Sequence, residues 1–352
     1  MQIATIREAL TNDGTAMGIP GSKHLNLYSD DVHVWVSGQR SPLAGHHHGR
    51  GGLTRLLAAN NAIWPGGTYF AGNEYWWGGD SGVVHWFGRN CTWKGLHCHN
   101  SGMTVFHVDN GKISGVRVYT DSEFLAETTA GWRSVVPGEI ARQIPAFAFG
   151  DVPSYPDPIN DHTWAIDTAT RDGRDVCPQV MQPIREQLFD MLQVDGFATR
   201  GRLKNAKNDG AVNQPMDNGI NVITFQGRST PLGGRYFCTR EDGFEVFLRT
   251  LRSIWPMPSY FEKILFWFTE SGVAFEWYSH SHTFKDQKTR NSGLTHLKIR
   301  DQQIFEHHEY TDTEFFSVVH ADWRESFGNR CKDFPNYPPR GSLPTDTSWT
   351  HF

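Results

Sequence analysis

The sequence predicts an α+β protein built from two tandem copies of one domain. Three observations carry this expectation. A strand-ending motif occurs twice, as Val118-Tyr119-Thr120-Asp121-Ser122-Glu123-Phe124 and as Glu309-Tyr310-Thr311-Asp312-Thr313-Glu314-Phe315, 191 residues apart (312 minus 121). The match extends in order along both halves: Ile6-Arg7-Glu8 answers Ile184-Arg185-Glu186, Ile63-Trp64-Pro65 answers Ile254-Trp255-Pro256, and Trp132-Arg133 answers Trp323-Arg324. An ordered repeat of this length sets the architecture. Within each half, helical periodicity comes first and long strands follow, the pattern of an α+β domain.

The elements can be placed in order. A helix opens the first copy near Ile6, and alternating apolar residues make Val32-His33-Val34-Trp35-Val36 a strand. A Gly/Pro/Ser loop containing His46-His47-His48 leads to a helix over Gly52–Ala59, and Pro65 closes that helical region. Strands follow from Val83. The last two, Gly102–Val108 and Ile113–Asp121, form a hairpin around Asn110-Gly111, a strong two-residue turn signal. The second copy repeats the plan with a helix from Ile184, a strand over Asn221–Phe225, a helix over Phe244–Arg249 and a hairpin of Leu294–Ile299 with Ile304–Asp312. The expected boundaries are a first domain over 1–136, a Pro-rich connector over 137–178, a second domain over 179–330 and a Pro-rich tail over 331–352. The connector and tail share a motif, Asp151-Val152-Pro153-Ser154-Tyr155-Pro156 against Asp333-Phe334-Pro335-Asn336-Tyr337-Pro338. Both are expected to strap across a domain surface.

Composition narrows the function classes. The 352 residues suffice for two domains. The net charge of -5 is mixed throughout with no basic block, so nucleic acid is not an expected partner. No apolar run is long enough to span a bilayer, and Met1–Glu8 lacks a signal peptide's apolar core. The expectation is a cytoplasmic protein without membrane contact. Five scattered cysteines then read as free thiols. The 13 Trp and 23 Phe suit a strand-rich core or a deep apolar pocket.

The run Trp35-Val36-Ser37-Gly38-Gln39-Arg40-Ser41-Pro42-Leu43-Ala44-Gly45, with Gly49-Arg50-Gly51-Gly52-Leu53 and the closing Val118-Tyr119-Thr120-Asp121, resembles the nuclear transport factor two-like superfamily, in its SnoaL-like and ketosteroid isomerase-like branch. The second half keeps Gly227-Arg228-Ser229-Thr230-Pro231-Leu232-Gly233 and Tyr310-Thr311-Asp312. The resemblance covers both copies and excludes the connector and tail. It implies two cone-shaped domains, each a curved antiparallel or mixed sheet wrapped on N-terminal helices around an apolar pocket. Members of the superfamily include isomerases, polyketide cyclases, dehydratases, epoxide hydrolases and inert binding modules, so the resemblance bears on fold more than on reaction. Members of the superfamily often pair, so a tandem chain is expected to form an internal pseudo-dimer, with homodimerisation as the alternative.

Candidate site residues follow from the hairpins. A two-residue turn at Asn110-Gly111 would set Phe106 opposite Gly115 and Thr104 opposite Arg117. Phe106, Arg117, Tyr119 and Asp121 would then share a face. In the second copy, Thr295, Leu297, Glu306, His308, Tyr310 and Asp312 would share the matching face. Asp121 and Asp312 are the leading acid–base candidates, because the resemblance implies an aspartate there as acid or base and aromatic surroundings would raise its pKa. An aspartate in that position is equally a helix N-cap. Tyr119 and Tyr310 lie two residues away, roughly 7 Å along a strand, where a phenol could polarise a substrate oxygen. His308 extends this row, and Glu276, Tyr278 and His280 form a separate acid–base row on one face of another strand. Substrate contacts are expected from Trp35, His46, His48, Phe106, Arg117, Phe225, Tyr236, Tyr278 and Leu297. No metal or cofactor is expected: consecutive histidines in a loop rarely converge, and no phosphate-binding glycine motif is present. The functional expectation is a lyase or isomerase working by dehydration, cyclisation or double-bond shift. The alternatives are a non-catalytic carrier of a hydrophobic ligand and an epoxide hydrolase.

Overall fold

The computed structural model describes residues 3–78, 80–144, 177–185, 188, 222–227, 230–237, 247, 250–251, 253–255, 260–301 and 303–323. The expected helix over Phe244–Arg249 falls mostly outside these residues, as do most of the connector and the whole Pro-rich tail. The chain divides into two compact units. The first contains the described residues up to 144 together with Asp312–Val318, and the second contains those from 177 to Thr311 together with 319–323. No helix among the described residues is long and apolar enough to cross a membrane.

Each unit is built on one six-stranded mixed sheet. In the first, helix α1 (Ile3–Asp13) precedes β1 (Tyr28–Val36), β2 (Gly45–His48) and helix α2 (Gly49–Ile63). Four long strands follow: β3 (Thr68–Gly78), β4 (Ser81–Cys91), β5 (His97–Asp109) and β6 (Lys112–Thr120). The sheet order is β2-β1-β6-β5-β4-β3, with β1 parallel to β6 and the other pairings antiparallel. In the second unit β7 (Val222–Phe225), β8 (Gly234–Phe237), β9 (Tyr260–Thr269), β10 (Gly272–His282), β11 (Lys288–Arg300) and β12 (Gln303–Thr311) take the order β8-β7-β12-β11-β10-β9. The α+β expectation holds, and the duplication is visible in the two strand orders.

One face of the first sheet forms the core. Val34 and Val36 of β1, Trp86 of β4, Phe106 of β5, and Val116 and Val118 of β6 cluster with Ile6, Leu10, Leu53, Leu56 and Leu57 of the two helices. Apolar residues on one stripe of α2 and at every second strand position make this burial possible. The turn at Asn110-Gly111 forms as the sequence predicts, with left-handed backbone at both residues (φ 48° and 74°).

The hairpin registers differ from the sequence expectation. A bulge between His107 and Val108 sets Phe106 opposite Val116 and Thr104 opposite Val118. A second bulge, between Lys298 and Ile299, sets Leu297 opposite His307 and Thr295 opposite Glu309. One extra residue in a strand exchanges its two faces. Arg117 and Tyr119 therefore lie on the sheet face opposite to Phe106, and His308 and Tyr310 lie opposite to Leu297. The grouping of these residues on single faces is corrected accordingly.

Candidate functional site

The exchange of faces brings two other side chains to the helix side of the second sheet. Residues 307 and 309 stand at the offset of 191 from Val116 and Val118 and carry a histidine and a glutamate. β12 runs parallel to β7 and antiparallel to β11, so it is paired on both edges. His307 is opposite Ile223 and Leu297, and Glu309 is opposite Phe225 and Thr295. The ring of Phe247, a helical residue, stands T-shaped to His307 with centroids 6.3 Å apart, and Tyr236 meets Phe247 at 5.2 Å. Tyr236 donates its own hydroxyl to the Leu232 carbonyl at 2.8 Å.

Three donors converge on Glu309, which is only 3% exposed. Trp277 Nε1 donates to Oε1 at 2.8 Å, Thr295 Oγ1 donates to Oε2 at 2.7 Å, and His307 Nε2 lies 2.9 Å from Oε2. An ionised Glu309 is acceptor-only, and against it His307 Nε2 carries the shared hydrogen. In the neutral ring this leaves Nδ1 as the lone pair, and this buried atom has no hydrogen-bond partner among the described residues. A carboxylate that orients a histidine in this way is a recurring device of proton-transfer sites.

The first unit keeps the scaffold of this arrangement without its chemistry. Trp86 Nε1 donates to Thr104 Oγ1 at 3.0 Å, as Trp277 does to Thr295 at 3.1 Å. In the first unit the threonine hydroxyl passes its hydrogen to the Met17 carbonyl at 2.6 Å, and Val118 occupies the glutamate position.

The other predicted residues separate into distinct groups. Phe225, Tyr236 and Leu297 are on the helix side with His307 and Glu309, and Phe106 is on the helix side of the first sheet. Trp35, Arg117 and Tyr119 are buried on the opposite face of the first sheet, where Trp35 and Tyr119 meet edge to face at 5.1 Å. In the second sheet His308, Tyr310, Glu276 and Tyr278 share the face away from Glu309. His308 Nε2 lies 3.1 Å from Glu306 Oε2, and Lys298 Nζ lies 3.1 Å from the same oxygen. Burial alone would raise Glu306, but His308 and Lys298 together bring it down to about 2. Tyr278 donates to Glu276 at 3.2 Å. His280 belongs to β10, and its side chain is outside the described residues.

Asp121 and Asp312 work as helix caps. Asp121 Oδ1 accepts from Phe124 N at 3.0 Å at the start of helix α3 (Ser122–Thr128), and Asp312 Oδ1 accepts from Phe315 N at 3.1 Å at the start of the helix Thr313–Val319. The two aspartates form an antiparallel bridge and exchange hydroxyl donors. Thr313 Oγ1 donates to Asp121 at 2.7 Å, and Ser122 Oγ donates to Asp312 at 2.8 Å. Asp312 Oδ2 also accepts from Gly38 N at 3.1 Å. Burial, reinforced by Glu123 and Glu314 respectively, raises both carboxyls to about 6.

The sequence reading missed His307 and Glu309. The signal available was the offset itself: two valines in one copy answered by His and Glu in the other.

No protein-family model matches the chain, and no curated protein matches it. Solved structures with similarity include an NTF2-like protein from Burkholderia xenovorans, 22% identical with a TM-score of 0.29, covering 36% of this chain and 93% of that one. A candidate SnoaL-like polyketide cyclase from Jannaschia is 16% identical with a TM-score of 0.26, covering 30% and 73%. A protein of ketosteroid isomerase-like fold from Catenulispora acidiphila, in complex with trimethylamine, is 12% identical with a TM-score of 0.27, covering 34% and 84%.

Proposed function

We propose that the second unit is a cofactor-independent acid–base enzyme, a lyase or isomerase acting on a small hydrophobic molecule. The observation that supports it is the His307–Glu309 pair on the helix side of the sheet, with Nδ1 of His307 buried and without a hydrogen-bond partner among the described residues. His307 Nδ1 takes a proton from a carbon next to a substrate carbonyl. Glu309 holds the ring and stabilises the imidazolium that forms, and Trp277 and Thr295 hold Glu309. The same nitrogen then returns the proton at another position, or to a leaving hydroxyl, which yields isomerisation or dehydration. Phe225, Tyr236, Phe247 and Leu297 favour a substrate with an apolar body. Glu306 and His308 form a second pair on the opposite face and are not needed for this step.

Hydrogen exchange tests this without knowledge of the natural substrate. Bicyclic and steroid-sized ketones are incubated with the protein in deuterated water, and deuterium uptake next to the carbonyl is followed by mass spectrometry. The full chain should catalyse uptake on at least one ketone, and His307→Asn should lower the rate on the order of 100-fold or more. Glu309→Gln should lower it comparably, because its amide can donate to Nε2 and so move the ring hydrogen to Nδ1. Uptake unaffected by either substitution would remove the assignment. Retention of a ketone without exchange would favour the carrier reading, which the all-apolar positions Val116 and Val118 already favour for the first unit.

A further inference from the structure

We propose that His33, His46 and His48 form a binding site for a divalent transition-metal ion, with Zn2+ as the occupant. The site lies on the face of the β1–β2 pair opposite to the helices. From sequence, the run of three histidines belonged to a loop, where neighbours diverge. In the structure it is strand β2, and strand alternation sorts the three rings. His47 turns to the helix side, where its Nε2 bonds the Leu43 carbonyl at 2.9 Å and burial lowers it to about 4. His46 and His48 project together on the other face. β1 supplies the third ligand: His33 is directly opposite His48.

The rings are already close. His33 lies between the others, with centroids 4.5 Å from His48 and 5.1 Å from His46, and those two are 6.1 Å apart. His33 Nε2 and His46 Nδ1 are 2.9 Å apart. One nitrogen from each ring falls within 4.8 Å of the other two. Tetrahedral zinc with Zn–N bonds of about 2.05 Å places its ligand nitrogens about 3.4 Å apart. His46 and His48 are exposed, so small side-chain rotations can close the remaining gap. An all-imidazole set suits Zn2+, Cu2+ and Ni2+ and disfavours Mg2+ and Ca2+, which take oxygen. The nearest basic side chain in sequence, Arg50, is engaged by Asp30 at 2.9 Å and by the Tyr28 carbonyl at 2.9 Å. Three protein ligands leave a coordination position for water or an external donor.

The test uses the full chain without a polyhistidine tag. Zn2+ is titrated against a chromophoric chelator of known affinity, and Co2+ is added separately to record its visible spectrum. One Zn2+ per chain at micromolar affinity or tighter is expected, together with the intense visible bands of tetrahedral Co2+. His33→Ala and His48→Ala should each weaken binding on the order of 100-fold. His97→Ala, an exposed histidine on β5, should leave binding unchanged. Affinity unaltered by both His33→Ala and His48→Ala would overturn the proposal. So would the absence of micromolar Zn2+ binding by the unmutated chain, a result that does not depend on any variant folding.

Discussion

Aspartates 121 and 312 show how one side chain can satisfy two opposite expectations. A terminal acidic residue in an aromatic-rich strand suggests a proton-transfer group with a raised pKa. The raised pKa is present, at about 6 for both. Yet the oxygens are committed to helix-capping N–H groups and to the hydroxyls of Thr313 and Ser122. The raised value is a stability statement. A carboxyl that binds its proton more tightly when folded adds stability that is fully present below the unfolded pKa of about 4. That stability is lost as pH rises through about 6. Asp121→Asn with Asp312→Asn keeps cap acceptors and removes the titration. In urea unfolding across pH, the double variant should gain stability relative to the parent between pH ~4 and ~7, flattening the decline. A parallel pH dependence in both proteins would contradict this reading.

Elements were legible in the sequence wherever periodicity and turn chemistry agreed. Helix α1, the strand over Val32–Val36, helix α2 and the Asn110-Gly111 turn all appear as expected. The bulges did not show: the extra residues are Ser114 and Phe305 on the second strand of each hairpin, and although Gly115 follows the first, Phe305 lies between Ile304 and Glu306 with no Gly or Pro to mark it. Missing one residue of register placed Tyr119 and His308 on the wrong face and hid His307 and Glu309. His46 and His48 were misread for a related reason: three residues between glycines look like a loop until β1 pairs with them. Two glycines carry structural weight that the repeat alone hinted at. A Cβ on Gly102 would stand 2.4 Å from Trp86 Cζ2 and 2.5 Å from the Tyr119 carbonyl oxygen. On Gly293 it would stand 2.3 Å from Trp277 Cζ2 and 2.9 Å from the Tyr310 oxygen. Backbone oxygens in a paired strand cannot give way. Gly102→Ala and Gly293→Ala should each destabilise by about 1–3 kcal/mol in denaturant unfolding.

At the scale of the whole molecule, the duplication was the most legible feature, and the membership of Asp312–Val318 in the first compact unit was the least. Asp312–Val318 follows the second sheet in sequence but belongs to the first compact unit. There Glu314 accepts from the backbone N–H of Gln39 at 2.6 Å and of Arg40 at 3.1 Å, and it pairs with the Arg40 guanidinium. Pairing of distant chain segments through buried polar groups leaves no local pattern in sequence. Glu314→Ala would leave those donors without their carboxylate and should cost about 3 kcal/mol. Melting followed by fluorescence would check it, and a loss below about 0.5 kcal/mol would be the ordinary range of an inconsequential surface change.

The tryptophan–threonine pair common to both units has a further meaning for how such a centre could arise. Trp86–Thr104 and Trp277–Thr295 show that a donor pair was available on the shared scaffold whether or not an acid occupied the next strand. Beside a carboxylate at position 309 the threonine hydroxyl turns from a backbone carbonyl, as Thr104 bonds Met17, to the acid, as Thr295 bonds Glu309. In a duplicated gene, one copy can preserve folding while the other accumulates changes. The two interiors differ at this place by two residues, Val116 and Val118 against His307 and Glu309, so the proton-transfer role proposed for the second unit rests on those two positions.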